Sequence, residues 1–321
     1  MLFPPHGILL LVFPLSSAGA AFQKMKNMVQ SCQNNQEEEK PMKFSFLTYQ
    51  FCRYPLEYCF KMGQHYGLDG VEVWGARPHA YAYDLDAGRV AEINGYKKKY
   101  GLEISMFTPE ILAYPYNLAS QEKKEYEETV AYLIRSVEAA AAIGTDKMQI
   151  TTGHPGYKVD RHKTKAQVGE GIARLCKRAE ELGVDIILES LSSYEGNTVT
   201  TAHQIGEMIE MVGSPALKSM VDVAVPVVMS EPVSEYFDTL GDKMEYLHLC
   251  NCPDKDDFHM PVHDANGIIP MKALFKVLER YHYDGWCSLE ILGPYFRDPE
   301  LYLAQFADDI EIICNEYGVK R

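Results

Sequence analysis

The sequence predicts a single-domain α/β protein folded as a (β/α)8 barrel, also called a TIM barrel. Strand-like and helix-like segments alternate eight times after Met42. Several strand-like segments are near-continuous apolar runs, as in Ile186-Ile187-Leu188, which is typical of parallel strands buried on both faces. At 321 residues the chain also has a length that one such barrel can occupy.

The N-terminal stretch is set apart from this pattern. Ile8–Phe13 is an apolar run too short to span a bilayer, and no Lys or Arg precedes it as in a secretory signal. Polar and charged residues dominate up to Pro41, and strand-like alternation starts at Met42. We therefore interpret residues 1–41 as a leader or a disordered N-terminal extension, and residues 42–321 as the barrel domain.

The first half of the barrel follows from four strand-like runs and the segments behind them. The predicted strands are Phe44–Thr48, Gly70–Trp74, Glu103–Phe107 and Lys147–Thr151. The predicted helices span residues 55–66, 84–99, 121–142 and 165–182. The third helix carries an apolar stripe through Tyr126, Val130, Leu133, Ile134 and Val137. The fourth has a similar stripe and ends at Gly183, a typical helix C-cap.

The second half repeats the pattern. Its predicted strands are Asp185–Glu189, Lys218–Asp222, Lys243–Leu249 and Trp286–Ile291. Helices are predicted over residues 201–212, 232–240 and 271–281. Asp298-Pro299 provides an N-cap and a first-turn proline for a last helix. Eight βα units in a row favour a closed barrel over other α/β folds.

Charge and cysteine content restrict the possible partners. The formal net charge of −14 disfavours phosphate backbones and anionic membranes, so we expect neither nucleic acid nor membrane as a partner. It also disfavours a DNA-repair endonuclease on the same fold. The eight cysteines form no disulfide ladder, which indicates reduced thiols and a cytoplasmic location. Cys250 and Cys252 are the only close pair, with a zinc-ligand role as the alternative to core packing.

Four metal-capable side chains stand at the ends of the last four predicted strands. They are Glu189, Asp222, His248 and Glu290. The carboxyl ends of barrel strands meet on one face, where active sites of this fold lie. Buried carboxylates are costly unless they are paired or coordinated, so a shared divalent cation explains all four. Oxygen and imidazole ligands suit Mn²⁺ or Co²⁺.

Such a site has a definite chemistry. The cation would polarise a ketose carbonyl and stabilise the enediolate formed when the neighbouring C–H loses its proton. With Glu189 and Glu290 on opposite faces of the substrate, one as base and the other as acid, the carbon is inverted. With one acid/base group the carbonyl moves instead, which is isomerisation. Residue types alone leave both outcomes open.

The chain resembles the xylose-isomerase-like TIM-barrel family of sugar epimerases and isomerases, and within it the branch that epimerises fructoselysine. Besides the four strand-end residues, the blocks that carry the resemblance are Trp74-Gly75-Ala76-Arg77-Pro78-His79-Ala80, Thr108-Pro109-Glu110, Tyr114-Pro115-Tyr116-Asn117 and Ile187-Leu188-Glu189 with Tyr194-Glu195. The resemblance implies that the four residues bind the metal, that the two Glu move the protons through a cis-enediolate, and that fructoselysine is inverted at C3 to psicoselysine. Mn²⁺ is the first expectation, with Co²⁺, Ni²⁺ or Zn²⁺ as alternatives.

Two positions depart from the family. Many ketose epimerases have a His three residues after the Asp ligand, where this chain has Val225. The Gly-x-Gly turn that commonly follows the His-bearing strand is replaced by the stretch His259–Gly267. The first departure favours a fructoselysine-type substrate over a free ketose. The alternatives that stay open are a 3-epimerase or aldose–ketose isomerase of free ketoses, of the tagatose or psicose type, and a sugar-binding barrel without catalysis.

Further residues near strand ends are candidates for binding a small sugar or sugar-amine substrate. Arg77 and His79 could contact sugar hydroxyls, and Glu110 could meet a substrate ammonium. His154 and Glu195 could hydrogen-bond the sugar, and Tyr116 could stack on it. The alternative for Glu195 is to orient a metal ligand. The other five residues have alternatives as solvated, loop or packing residues. The sequence leaves a homo-oligomer open.

Overall fold

The computed structural model describes residues 41–112 and 114–321, and in them the chain folds as the predicted (β/α)8 barrel. The strands are β1 (Lys43–Phe46), β2 (Gly70–Gly75), β3 (Glu103–Pro109), β4 (Lys147–Ile150), β5 (Asp185–Leu188), β6 (Leu217–Asp222), β7 (Met244–Leu249) and β8 (Trp286–Leu289). All pair in parallel, in the order β1-β8-β7-β6-β5-β4-β3-β2. A parallel bridge between Leu47 and Glu72 joins the two remaining edges.

The helices surround this sheet. They are α1 (Leu56–His65), α2 (Ala87–Tyr100), α3 (Lys123–Ile143), α4 (Arg161–Leu182), α5 (Ala202–Val212), α6 (Ala224–Met229), α7 (Ser234–Leu240), α8 (Met271–Arg280) and α9 (Pro299–Tyr317). Gly183 is left-handed at the end of α4, with φ of 66°, as a C-cap glycine is. The eight predicted strands and the helices between them agree with the structure within a few residues, and α6 is the addition.

Helix α6 was missed because its sequence argues against a helix. Ala224–Met229 contains three valines, whose branched side chains favour strands, and Pro226. The helix tolerates Pro226 because this residue lies in its first turn, where a missing N–H costs no hydrogen bond. The Asp222 carboxylate also accepts the Ala224 N–H at 2.7 Å. The end of β6 and the start of α6 are thus fixed by a predicted site residue.

Alternation along the strands divides the core into two layers. Residues two apart on a strand share a face. Met106, Ile187, Met220, Tyr246 and Trp286 form a small buried cluster inside the barrel, apart from the larger cluster between sheet and helices. On β5 to β8, the cluster residues lie on the same strand faces as Glu189, Asp222, His248 and Glu290, which are nearer the carboxyl ends. The inner cluster therefore lies directly beneath these four residues.

Two expectations concern the membrane and the N-terminus. Among the helices of the described residues, none has the length and apolar content that a membrane crossing requires. The predicted leader or extension over residues 1–41 lies, except for Pro41, outside the described residues.

Candidate metal centre and active site

The four strand-end residues converge on one point at the carboxyl face of the barrel. Asp222 is the last residue of β6 and pairs in register with His248 of β7. Glu189 and Glu290 follow the last residues of β5 and β8. Each of the four offers one ligand atom, and these atoms all lie within 4.8 Å of one another. The group could therefore hold a metal ion.

Several atoms of this group lack ordinary partners. His248 Nδ1 lies 2.8 Å from Glu290 Oε2 and 3.2 Å from Glu189 Oε1, without hydrogen-bond geometry to either. Asp222 Oδ2 is also buried and unpartnered. Unpaired buried polar atoms are rare in proteins because each forfeits its hydration. Their convergence fits a site shaped for a cation, which would bind an imidazole lone pair and several carboxylate oxygens at once.

A buried carboxylate that the sequence analysis missed fixes the His248 ring. Glu72 of β2 is fully buried, and its oxygens lie 3.0 and 3.1 Å from His248 Nε2. Glu72 also accepts hydrogen bonds from Thr108 Oγ1 at 2.5 Å and Tyr246 Oη at 3.0 Å. With its proton on Nε2 toward Glu72, His248 presents the Nδ1 lone pair to the other carboxylates. The signal was available, because an acid inside the apolar run Val71-Glu72-Val73 needs a partner.

His259 is a second residue of the site that the sequence analysis did not assign. Its Nδ1 is unpartnered and lies 3.4 Å from Glu290 Oε2 and 3.6 Å from Asp222 Oδ2. Backbone hydrogen bonds between Asn251 and Met260, of 2.8 and 2.7 Å, hold the loop that carries it. The departure at His259–Gly267 therefore brings an imidazole beside Asp222. No periodic pattern could have indicated this, because loop pairing sets it.

A second group of possible ligands shares Asp222. It consists of Asp222, Cys250 and His259, and Cys250 Sγ lies 3.6 Å from Asp222 Oδ1. Cys252 is not among them. The cysteines of the described residues are free thiols.

The charges in the group oppose one another. Burial raises the pKa of Asp222 to about 7 despite the nearby His259, and Glu290 and Glu189 add to the rise. Burial would lower the pKa of His248, but Glu290 and Glu72 outweigh it and hold that pKa well above its usual value. Burial would raise the pKa of Glu290, but the two imidazoles hold it well below its usual value. A bound divalent cation would relieve this crowding of buried carboxylates.

A cavity of about 300 Å³ opens onto the group. Its walls include Glu189, Asp222 and Glu290 together with the two predicted substrate-binding residues Glu110 and Glu195. Burial, with repulsion from Asp257 and Glu189, raises the pKa of Glu195 to about 8. Val225, which replaces the histidine of many ketose epimerases, is also part of the wall.

The other four predicted substrate-binding residues do not line this cavity. Arg77 is an exposed residue paired with Asp84, its Nε 2.5 Å from Oδ2. His79 is buried, and its Nε2 lies 3.1 and 3.0 Å from the carbonyls of Phe51 and Tyr54. Both side chains are engaged in local structure around the loop after β2.

Tyr116 and His154 are likewise held by their own loops. The Tyr116 ring stacks on Tyr132 with centroids 3.8 Å apart, and its hydroxyl lies 2.5 Å from that of Tyr81. His154 Nδ1 accepts the Gly156 N–H at 2.9 Å, and its ring packs edge-on against Tyr157. In the structure, Tyr116 is thus engaged in aromatic packing, and His154 contacts residues of its own loop.

Comparisons with known proteins agree with this architecture. The family described as "Xylose isomerase-like TIM barrel" matches residues 60–310. Fructoselysine 3-epimerase of Escherichia coli O157:H7 is 34% identical over 276 residues, which cover 86% of this chain and 99% of that protein. The same enzyme of Shigella flexneri matches equally, at 34% identity and the same coverage.

Solved structures share the fold. A D-psicose 3-epimerase from Clostridium cellulolyticum H10, solved with D-tagatose, superposes with a TM-score of 0.71 at 17% identity, covering 87% of this chain and 100% of its own. The IOLI protein, solved with a binding zinc atom, gives a TM-score of 0.72 at 17% identity over 86% and 99% of the two chains. The chain is an enzyme of the isomerase class that belongs to the xylose isomerase-like TIM-barrel family.

Proposed function

We propose that this protein is a metal-dependent sugar 3-epimerase that interconverts fructoselysine and psicoselysine. The observation that carries the proposal is the 34% identity to fructoselysine 3-epimerase along 99% of that enzyme's length. The group of Glu189, Asp222, His248 and Glu290, whose three carboxylates line the cavity, supports it. C3 epimerisation requires a proton to leave one face of the carbon and return to the other, and two Glu are available.

We assign the cation to Glu189, Asp222, His248 and Glu290, with Mn²⁺ expected first and Co²⁺, Ni²⁺ or Zn²⁺ as alternatives. When bound, the cation supplies a Lewis acid that polarises the ketose carbonyl and stabilises the negative charge that develops after C–H cleavage. Glu72 keeps the His248 ring in one orientation.

The proton steps belong to Glu189 and Glu290. Their strands β5 and β8 are separated by β6 and β7, so the two carboxylates approach the centre from different sides. One takes the C3 proton, and the other delivers a proton to the opposite face of the planar carbon. Gln149 Nε2 donates to Glu189 Oε2 and fixes that carboxylate. Glu195 borders the cavity and is assigned to hydrogen bonding with the sugar.

The direct test is product analysis in D₂O. We expect NMR to show inversion at C3 of fructoselysine, with one solvent deuterium incorporated at C3 per inversion. Fructose and tagatose serve as comparison substrates. If the protein inverts C3 of none of the three sugars, the proposed activity is overturned. Inversion without deuterium at C3 would overturn the two-Glu proton scheme.

A free ketose is the second candidate substrate. A D-psicose 3-epimerase of Enterocloster bolteae is 24% identical over 131 residues, which is 41% of this chain. The match covers less than half of either protein, and Val225 borders the cavity where many ketose epimerases have a histidine. A higher kcat/KM for tagatose or fructose than for fructoselysine would favour this candidate. An aldose product would indicate an isomerase.

Replacing Glu72, which is not itself one of the four proposed metal ligands, should weaken metal binding. We expect Glu72→Gln to lower the affinity for Mn²⁺ about 10- to 100-fold, the usual effect of removing a carboxylate that orients a metal-binding His. Calorimetric titration of the metal-free protein measures it. The matched control is Tyr246→Phe, which removes one hydrogen bond to Glu72 but keeps the carboxylate. Equal affinities in wild type and Glu72→Gln would contradict the orienting role.

A further inference from the structure

One wall of the cavity is aromatic and ends in a carboxylate. The ring of Tyr49 lies 4.8 Å, centroid to centroid, from Trp74 and also 4.8 Å from Phe296. The Trp74 Nε1–H donates to Glu110 Oε2 at 2.9 Å, which holds the carboxylate at the edge of the rings. All four residues line the cavity. We call them the aromatic wall.

The cavity as a whole is acidic. Its carboxylates are Glu110, Glu189, Glu195, Asp222 and Glu290, and among the described residues that line it the only basic side chain is that of His259. A concave site with an excess of one charge concentrates ligands of the opposite sign. A ketose with a positively charged substituent suits it.

Glu110 and Glu195 are the two cavity carboxylates outside the ligand group, which takes Glu189, Asp222 and Glu290. Glu195 is half-buried and is assigned above to hydrogen bonding with the sugar, which leaves Glu110. Glu110 has no ion pair with any described residue. Its carboxylate accepts a hydrogen bond from the Trp74 indole, which is neutral. Its negative charge is thus available to a ligand in the cavity.

We propose that the aromatic wall is a subsite for a cationic amino group carried by the ketose substrate. Ring faces attract ammonium groups, most strongly where water is partly excluded. Glu110 adds a charge-assisted hydrogen bond to the same nitrogen. The inference rests on the proposed epimerase function and extends it, because it assigns the part of the site that distinguishes an aminoketose from a neutral ketose.

The position of the wall suits an amine on C1. In an aminoketose of this kind the nitrogen is bonded to C1, next to the carbonyl carbon C2, so it must lie near the centre that acts on C2 and C3. Tyr49 lines the same cavity as Glu110 of the aromatic wall and Glu290 of the ligand group.

The test compares substrates that differ in the amine. The measured quantity is kcat/KM for fructoselysine divided by kcat/KM for fructose. We expect Glu110→Gln to lower this ratio about 10-fold, as for a lost hydrogen bond to a charged group at a partly exposed site. Tyr49→Leu should lower it about 3-fold through the lost cation–π contact. The loss should appear in KM for fructoselysine, because the amine does not change charge during the reaction.

Glu279→Gln is the matched control. Glu279 is an exposed residue of α8, so its replacement removes the same charge outside the cavity, and the ratio should stay at the wild-type value. If wild type inverts C3 of fructoselysine but Glu110→Gln and Tyr49→Leu keep the wild-type ratio, the subsite is refuted and the epimerase function stands. If wild type inverts no ketose at C3, both are refuted.

Discussion

Replacing Glu189 or Glu290 by Gln is expected to lower the rate of C3 epimerisation about 10³-fold at saturating Mn²⁺, within the usual range for loss of a general acid or base. Gln keeps the size of the side chain and one oxygen that can approach a cation, but it neither accepts nor delivers a proton at neutral pH. Progress curves for fructoselysine, followed by NMR, measure the loss.

The two variants should differ in what they retain. With Glu290 replaced, Glu189 can still remove a C3 proton from the epimer whose C–H faces it, and the reverse holds for Glu189→Gln. Each variant should therefore exchange the C3 hydrogen of one epimer with D₂O without inverting it, and the two variants should act on opposite epimers. Exchange of the same epimer by both variants would contradict one proton role for each Glu.

Metal content separates the proton roles from ligation. Both Glu belong to the group of possible ligands, so a variant that fails to bind Mn²⁺ would lose exchange and epimerisation together. The bound metal of each variant is measured beside its activity. Asp222→Asn is the comparison, because Asp222 has no proposed proton role and its replacement should affect exchange of both epimers alike.

The sequence predicted the strand ends because buried parallel strands are apolar and a charged group that interrupts or ends such a run is conspicuous. Glu189, Asp222, His248 and Glu290 all stand at such interruptions, and the barrel geometry brings any residues at these places together. Glu72 interrupts the apolar run Val71-Glu72-Val73 in the same way, but it lies in the middle of its strand and not at the end.

Loop residues could not be placed in this way. His259 reaches the site through the pairing of Asn251 with Met260, and His79 turns away into backbone carbonyls of another loop. Both are histidines shortly after a strand, so their sequence context is similar. Which one faces the cavity depends on hydrogen bonds within and between loops, and these have no periodicity.

Removing the metal is expected to abolish epimerisation and to lower the melting temperature. The second effect follows because the described group holds three carboxylates and an imidazole within 4.8 Å, in a buried setting. A cation present at 100 times its Kd stabilises the folded state by about 2.7 kcal/mol. For a domain of this size that corresponds to about 5 °C. Calorimetry before and after chelation, with Mn²⁺ added back, measures it.

Asp222→Asn sharpens this test. In the metal-free protein, Asp222 Oδ2 is buried without a partner beside other acids, so replacing it removes repulsion as well as a ligand atom. We expect the metal-free variant to melt at or above the temperature of metal-free wild type, and to gain little from Mn²⁺. A wild-type protein that epimerises at full rate after complete chelation would remove the cation from the mechanism. If Asp222→Asn gains as much stability from Mn²⁺ as wild type does, the ion binds elsewhere and not at the group of strand-end residues.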